Sequence, residues 1–252
     1  MDPGFKSPLV DFFRRGDVAQ DVRLLAARGA LAPRAHEQLA LLMLLIDDPD
    51  EEVGESARAT LDRLPPASLS AFLARSDVSS EMRAFFAARG IPIAAAAAPA
   101  ADAPLLESPE DAEPDEPSAD PKILSTLPVM RRMKIAMKGT REQRAQLIRD
   151  SNKLVAAAVL SSPKLSESEV ESFAKMANVS EEVLRIIALN RNWTKNYTVI
   201  AGLTKNPKTP PAISMQLLPR LVEKDMRMLS MDRNIPEAVR LAARRYLVKS
   251  HR

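Results

Sequence analysis

One short phrase recurs along this 252-residue chain and limits what it can fold into. An Asp or Asn is followed by Val or Ile, and four residues further on comes another Val or Met. The copies are Asp17-Val18 with Val22, Asp77-Val78 with Met82, Asn178-Val179 with Val183, and Asn234-Ile235 with Val239. Each reads as a polar cap leading into an apolar helix. Self-similarity of this kind marks stacked helical repeats, in which one unit cannot bury its apolar face alone. Only 7 Gly and 4% aromatic residues, with abundant Ala, Leu and Arg, favour helix over sheet. Val, Ile and Thr form no alternating runs bounded by turns. The expected fold is all-α.

The residues that are missing exclude much chemistry. With no Cys, disulfides, thiolate nucleophiles and Cys-ligated metal sites are ruled out, and the chain is expected in the cytoplasm. The longest apolar run, residues 39–46, is far short of the ~20 residues that span a bilayer, and no signal peptide is read at the N-terminus. His36 lies in an apolar helix and His251 near the C-terminus, neither with a metal-ligand partner at helical spacing. No Gly-rich phosphate loop, nucleophile elbow or H-E-x-x-H is present. The acidic run Asp47-Asp48-Pro49-Asp50-Glu51-Glu52 lacks the Gly and the spacing of a calcium loop. It suits the positive end of a helix dipole. No cofactor and no metal are expected.

Charge is strongly segregated. Residues 1–90 carry 11 Lys/Arg and 14 Asp/Glu, residues 91–121 carry eight acids and no base, and residues 122–252 are net +14. The middle stretch interleaves these acids with Pro99, Pro104, Pro109, Pro114, Pro117 and Pro121. Such composition buries too little apolar surface to offset ordering entropy, so an extended, disordered linker is expected. Leu105-Leu106 inside it has the form of a short docking motif, although composition alone gives such a pair no role. The expected organisation is a helical domain over 5–90, the acidic linker over 91–121 and a basic helical domain over 122–250. An acidic segment tethered beside a +14 domain is expected to dock on it and compete with its partner.

Helix signals punctuate both flanks. Ser7 with Pro8, Asp17, Asp50 and the residues near 79 open helices in the first. Residues 33–47 are apolar nearly all round and read as a central helix. In the second, Thr140 with Gln143 and Ser166 with Glu169 read as capping boxes, and residues 128–138 as an amphipathic capping helix. Asn152, Val155, Ala157, Pro163 and Lys164 recur 44 positions later as Asn196, Val199, Ala201, Pro207 and Lys208. Asn206-Pro207-Lys208-Thr209-Pro210 before an apolar helix resembles the loop of leucine-rich-repeat-variant proteins. The block from Ile148 through Asn190-Arg191-Asn192-Trp193 to Tyr246 is similar to bacterial HEAT-like helical-repeat proteins without an assigned activity. The resemblance implies two α-solenoid-like domains.

Three loops carry related chemistry: Arg149-Asp150-Ser151-Asn152-Lys153, Asn190-Arg191-Asn192-Trp193-Thr194-Lys195 and Asp232-Arg233-Asn234. Stacked repeats would align such loops on one edge, and Arg, Lys and Asn beside helix N-termini attract anions. The candidate partner-binding residues are therefore Arg149, Asn152, Lys153, Arg191, Asn192, Lys195, Arg233 and Asn234. The function expected is a non-enzymatic adaptor holding a protein with an acidic surface. Binding of a nucleic-acid backbone is the alternative. A DNA glycosylase of the HEAT-like kind is a second alternative, with a loop carboxylate such as Asp150 or Asp232 in the catalytic role. Trp193 and Tyr197, four residues apart, are expected in the core.

Overall fold

A computed structural model describes residues 3–32, 34–95, 103–106 and 124–250. Among them are helices and connecting loops and no strand, as an all-α chain requires. The chain divides into two compact units, Met1–Lys138 with Ser161–Pro163, and Gly139–Leu160 with Lys164–Arg252. The division falls at Gly139, not at residue 122 where the charge changes.

The first unit contains α1 (Pro8–Arg15), α2 (Gln20–Ala27), α3 (Ala35–Leu45), α4 (Glu51–Asp62), α5 (Pro66–Leu73), α6 (Ser80–Ala87) and α7 (Val129–Lys138). α3 is central: it packs on α1, α2 and α4. Ten of its eleven residues are buried, including His36, Glu37 and Gln38. His36 stacks on Phe5 and meets Phe72 edge-on, with ring centroids 5.3 and 4.7 Å apart, so it is part of the core. Asp77 lies 3.9 Å from its Nε2 and is gripped by Arg75 at 3.0 and 2.6 Å. That grip holds the Asp77 carboxyl below the usual carboxylate range. Ser7, Asp50 and Ser79 accept N–H bonds at the starts of α1, α4 and α6. α7 buries Met133, Ala136 and Met137 in this unit and does not open the second.

The second unit contains α8 (Arg141–Leu147), α9 (Lys153–Leu160), α10 (Glu167–Lys175), α11 (Glu181–Leu189), α12 (Tyr197–Lys205), α13 (Pro211–Leu217), α14 (Glu223–Met231) and α15 (Glu237–Ser250). Short 3-10 turns at Trp193–Lys195 and Leu218–Arg220 precede α12 and follow α13. α8–α9, α10–α11, α11–α12, α12–α13 and α14–α15 pack as consecutive pairs, and α8–α10, α10–α12, α12–α14, α9–α11 and α13–α15 are also neighbours. Consecutive helices thus alternate between two rows. First-row helices begin at Arg141, Glu167, Tyr197 and Glu223, so a pair recurs roughly every 26 to 30 residues. The 44-residue likeness relates α9 to α12, helices of opposite rows. It reflects a shared cap: Asn152 and Asn196 each accept the N–H two residues on, at 2.9 Å. α10 and α12 approach closely at Gly202, where a Cβ would lie 3.2 Å from both Ala174 Cβ and Lys175 Cγ.

The recurring phrase has a common burial pattern. Val18, Val78, Val179 and Ile235 are buried, and so are Val22, Met82, Val183 and Val239 four positions on. The cap is displaced from where the sequence suggested. Asp17, Asp77, Asn178 and Asn234 are exposed, and the helix starts three residues later. Ser79 and Ser180 are the caps in two copies, while Ala19 makes no side-chain bond. Both capping boxes are formed. On α11, Val183 and Ile187 are buried, Ile186 is half-buried and Arg185 is exposed. Replacing Ile187 with Ala should cost about 2–5 kcal/mol, as for a buried large-to-small change. Arg185→Ala should stay within about 0.5 kcal/mol. Urea unfolding of the two variants checks the contrast.

The stretch expected to be a uniform linker divides. Residues 96–102 and 107–123 lie outside the described residues. Residues 91–95 run beside α5, where Ser70 Oγ donates to Pro92 O at 2.7 Å and Ala94 N–H to Ser70 O at 3.2 Å. Residues 103–106 meet α3. These described parts are hydrogen-bonded to the first unit, against the expectation of disorder throughout. Docking of the acidic run on the basic domain concerns residues outside the described set.

Candidate functional site

Four helices of the second unit, α8, α11, α12 and α14, end in a repeated turn. A C-terminal carbonyl accepts the N–H of an Asx three residues on, and the Asx side chain then accepts the N–H two residues further. In Asp150 the second bond goes to Asn152 N at 2.8 Å, in Asn190 to Asn192 N at 3.0 Å, in Asn206 to Lys208 N at 3.0 Å and in Asp232 to Asn234 N at 2.9 Å. Asn, Asp and their side-chain oxygens favour this turn because it satisfies backbone donors that the helix leaves over. Asp150 and Asp232 are thereby committed to turn formation.

The turns place the candidate residues. Arg149, Lys153, Arg191, Asn192, Lys195, Arg233 and Asn234 are exposed, and Asn152 is half-buried as the α9 cap. They do not share one edge. Residues 148–152, 206–210 and 232–236 follow the first helix of a pair, whereas residues 190–196 follow the second helix of a pair and lead to the next. Three helices separate Asp150 from Asn190, and an odd number reverses the end at which the chain emerges. Hydrogen bonds link each set. Asn206 Nδ2 donates to Ala174 O at 3.0 Å and Met176 O at 2.9 Å, joining loops within pairs. Arg220 donates to Thr194 O, and Val222 N–H to Tyr197 Oη at 3.2 Å, joining loops between pairs.

The first edge therefore carries Arg149, Asn152, Lys153, Arg233 and Asn234, with Lys208, which the same turn exposes. The second edge carries Arg191, Asn192 and Lys195. Lys195 donates to Asn192 Oδ1 at 3.3 Å. Among the described residues, the side chains of Arg149, Lys153, Lys208 and Arg233 enter no ion pair. Lys205, by contrast, is 2.7 Å from Asp225, which Tyr197 Oη also contacts. Lys205 and Tyr197 together hold the Asp225 carboxyl below its usual range. Tyr197 is exposed and Trp193 half-buried, so neither fills the core, and Tyr197 ties two loops together through its hydroxyl.

Asn206 is 3% exposed and fills two carbonyls while holding its own turn. Asn206→Ala should cost about 1–3 kcal/mol, the penalty of buried carbonyls left without donors. Chemical denaturation of the 252-residue chain measures it.

Among the described residues no group of three or more His, Asp or Glu could hold a metal ion, and no helix is long and apolar enough to cross a membrane. In the acidic run, Asp48 pairs with Arg23 at 3.0 Å and Asp50 caps α4. Comparison of the chain with protein-family models, with curated proteins and with solved structures gives no match.

Proposed function

We propose that the chain is a non-enzymatic, cytoplasmic adaptor. In this reading its second unit is a HEAT-like α-solenoid that holds the acidic surface of a partner protein along the first edge. The observation that carries the proposal is the row of exposed cations on that edge: Arg149, Lys153, Lys208 and Arg233, each beside a hydrogen-bonded turn and none in an ion pair among the described residues. Two rows of alternating helices support the solenoid reading, because successive pairs then offer equivalent loops at a regular interval. Cations already paired within the fold would have to exchange one carboxylate for another. These four need only lose water and counterions.

A labelled poly-glutamate peptide and a labelled DNA duplex, each titrated with the full chain at about 50 and 200 mM salt, test the proposal. The peptide should bind at low salt, and the duplex should bind no more tightly than the peptide. Tight duplex binding whose affinity falls with a log–log salt slope of about −4 or steeper, with no peptide binding, would replace the protein partner with a nucleic-acid backbone.

A further inference from the structure

Gln38 is 1% exposed on the central helix of the first unit. A buried side-chain amide has two acceptor lone pairs and two donors to satisfy. All four are filled here, three of them by a segment almost seventy residues away in sequence. Oε1 accepts Leu105 N–H at 2.8 Å and Leu106 N–H at 3.2 Å. Nε2 donates to Leu106 O at 2.9 Å and to Gly29 O at 3.2 Å. The last bond fixes which way the amide faces. Gly29 sits after α2 with φ +81°, and a Cβ there would come within 3.3 Å of Nε2. The turn after α2 thus has a backbone that favours Gly and leaves room for an oriented amide.

What Gln38 grips is main chain, so the contact is of the kind that receives a peptide. Pro104 precedes the gripped pair with no N–H of its own and a fixed φ, which leaves the donors of Leu105 and Leu106 as the two that reach Oε1. Pro104, Leu105 and Leu106 are half-buried, supplying apolar contact where the amide supplies register. We propose that Gln38 is the key of a peptide-binding site on the first unit, and that residues 103–106 are its tethered ligand. Residues 91–95, held along α5 through Ser70, are joined to Ala103 by seven residues. A tether of that length holds its ligand at an effective concentration in the mM range. A free peptide of the same sequence is therefore excluded from the native chain and admitted only when the tethered segment is disabled.

The experiment uses the 252-residue chain and a labelled peptide spanning residues 100–111. The double variant Leu105→Asp/Leu106→Asp should bind the peptide at least tenfold more tightly than the native chain, and adding Gln38→Leu should abolish that binding. In parallel, hydrogen exchange at the Leu105 and Leu106 amides of the native chain should be at least tenfold slower than in Gln38→Leu, with circular dichroism confirming that the variant is folded. If Gln38→Leu fails to fold, the comparison of native amides with their intrinsic exchange rates decides: exchange at the intrinsic rate overturns the proposal. Equal peptide binding by the native chain and the double variant, or none by either, also overturns it. A concentration-dependent dimer of the native chain that Gln38→Leu abolishes would assign the segment to a second copy and overturn the intramolecular assignment.

Discussion

Arg144→Ala should lower the stability of the second unit by about 3–5 kcal/mol, the loss seen when one partner of a buried ion pair is removed. Arg144 and Glu169 side chains are 4% and 3% exposed and meet at 2.9 and 3.0 Å. Arg144 also donates to Gly139 O at 2.9 Å and Lys164 O at 3.2 Å. Glu169 also accepts from Ser166 N–H at 3.0 Å and Ser166 Oγ at 2.8 Å, as the reciprocal half of a capping box. Truncating Arg144 leaves a buried carboxylate and two carbonyls without their donor. Burial pushes the Glu169 carboxyl up, but Arg144 and Ser166 outweigh it and hold it below the ordinary Glu value. A depressed folded-state value means that this stabilisation is complete above the ordinary Glu range and disappears as pH falls through the folded-state value. The gap between native protein and Arg144→Ala should accordingly narrow in acid. The lone Trp, Trp193, lies in this unit, so urea titrations read by its emission report the right transition. Arg144→Met with Glu169→Gln should lose less than Arg144→Ala alone, because no charge is then left buried without its partner. A loss below about 1 kcal/mol in the single variant would show that the pair is open to water.

Reversing Arg149, Lys153, Lys208 and Arg233 to Glu should weaken binding of an acidic partner by on the order of 10²–10³-fold at low salt. Four exposed pairs contribute roughly 0.5–1 kcal/mol each, and reversal adds repulsion on top of their loss. The effect should shrink as salt shortens the Debye length below ~8 Å. Reversal of Arg191 and Lys195 is the control, matched in charge by reversal of Arg149 and Arg233 alone. Arg191 and Lys195 belong to the opposite set of loops, so their reversal should change binding less than about tenfold if the first edge is the contact surface. Fluorescence anisotropy with the poly-glutamate probe measures each. Equal losses from the two charge-matched double reversals would mean that net charge, and not an edge, attracts the partner.

Much of the helical architecture is legible in the residues. α3 reads as central because its apolar side chains leave no polar face, and it is buried on all sides. The capping boxes at Thr140 and Ser166 are local four-residue patterns, and both form. What fails is anything that depends on counting through space. The loops at Asp150 and Asn190 look alike because each ends a helix with the same side-chain turn, whichever row that helix belongs to. Likeness in sequence therefore carried no information about side. The number of helices between them did carry it, and three is odd. The Arg144–Glu169 pair is 25 residues apart and the Gln38–Leu105 bond 67 apart. Neither has a local signature, since a Gln on an apolar helix and a Glu at the third helical position have ordinary local explanations.

The alternation of rows sets a rule for how the second unit tolerates changes of length. Excising one helix with its loop, for instance α10, would send every later turn out of the other end. Lys208 and Arg233 would change places with Arg191 and Lys195, and the α9–α11 contact across the junction would be lost. Excising a neighbouring pair of about 28 residues keeps the remaining turns on their sides and needs only one new junction. Even-numbered changes are thus the natural quantum of growth and shrinkage here, and shortened or lengthened versions should stay folded when whole pairs are removed or duplicated.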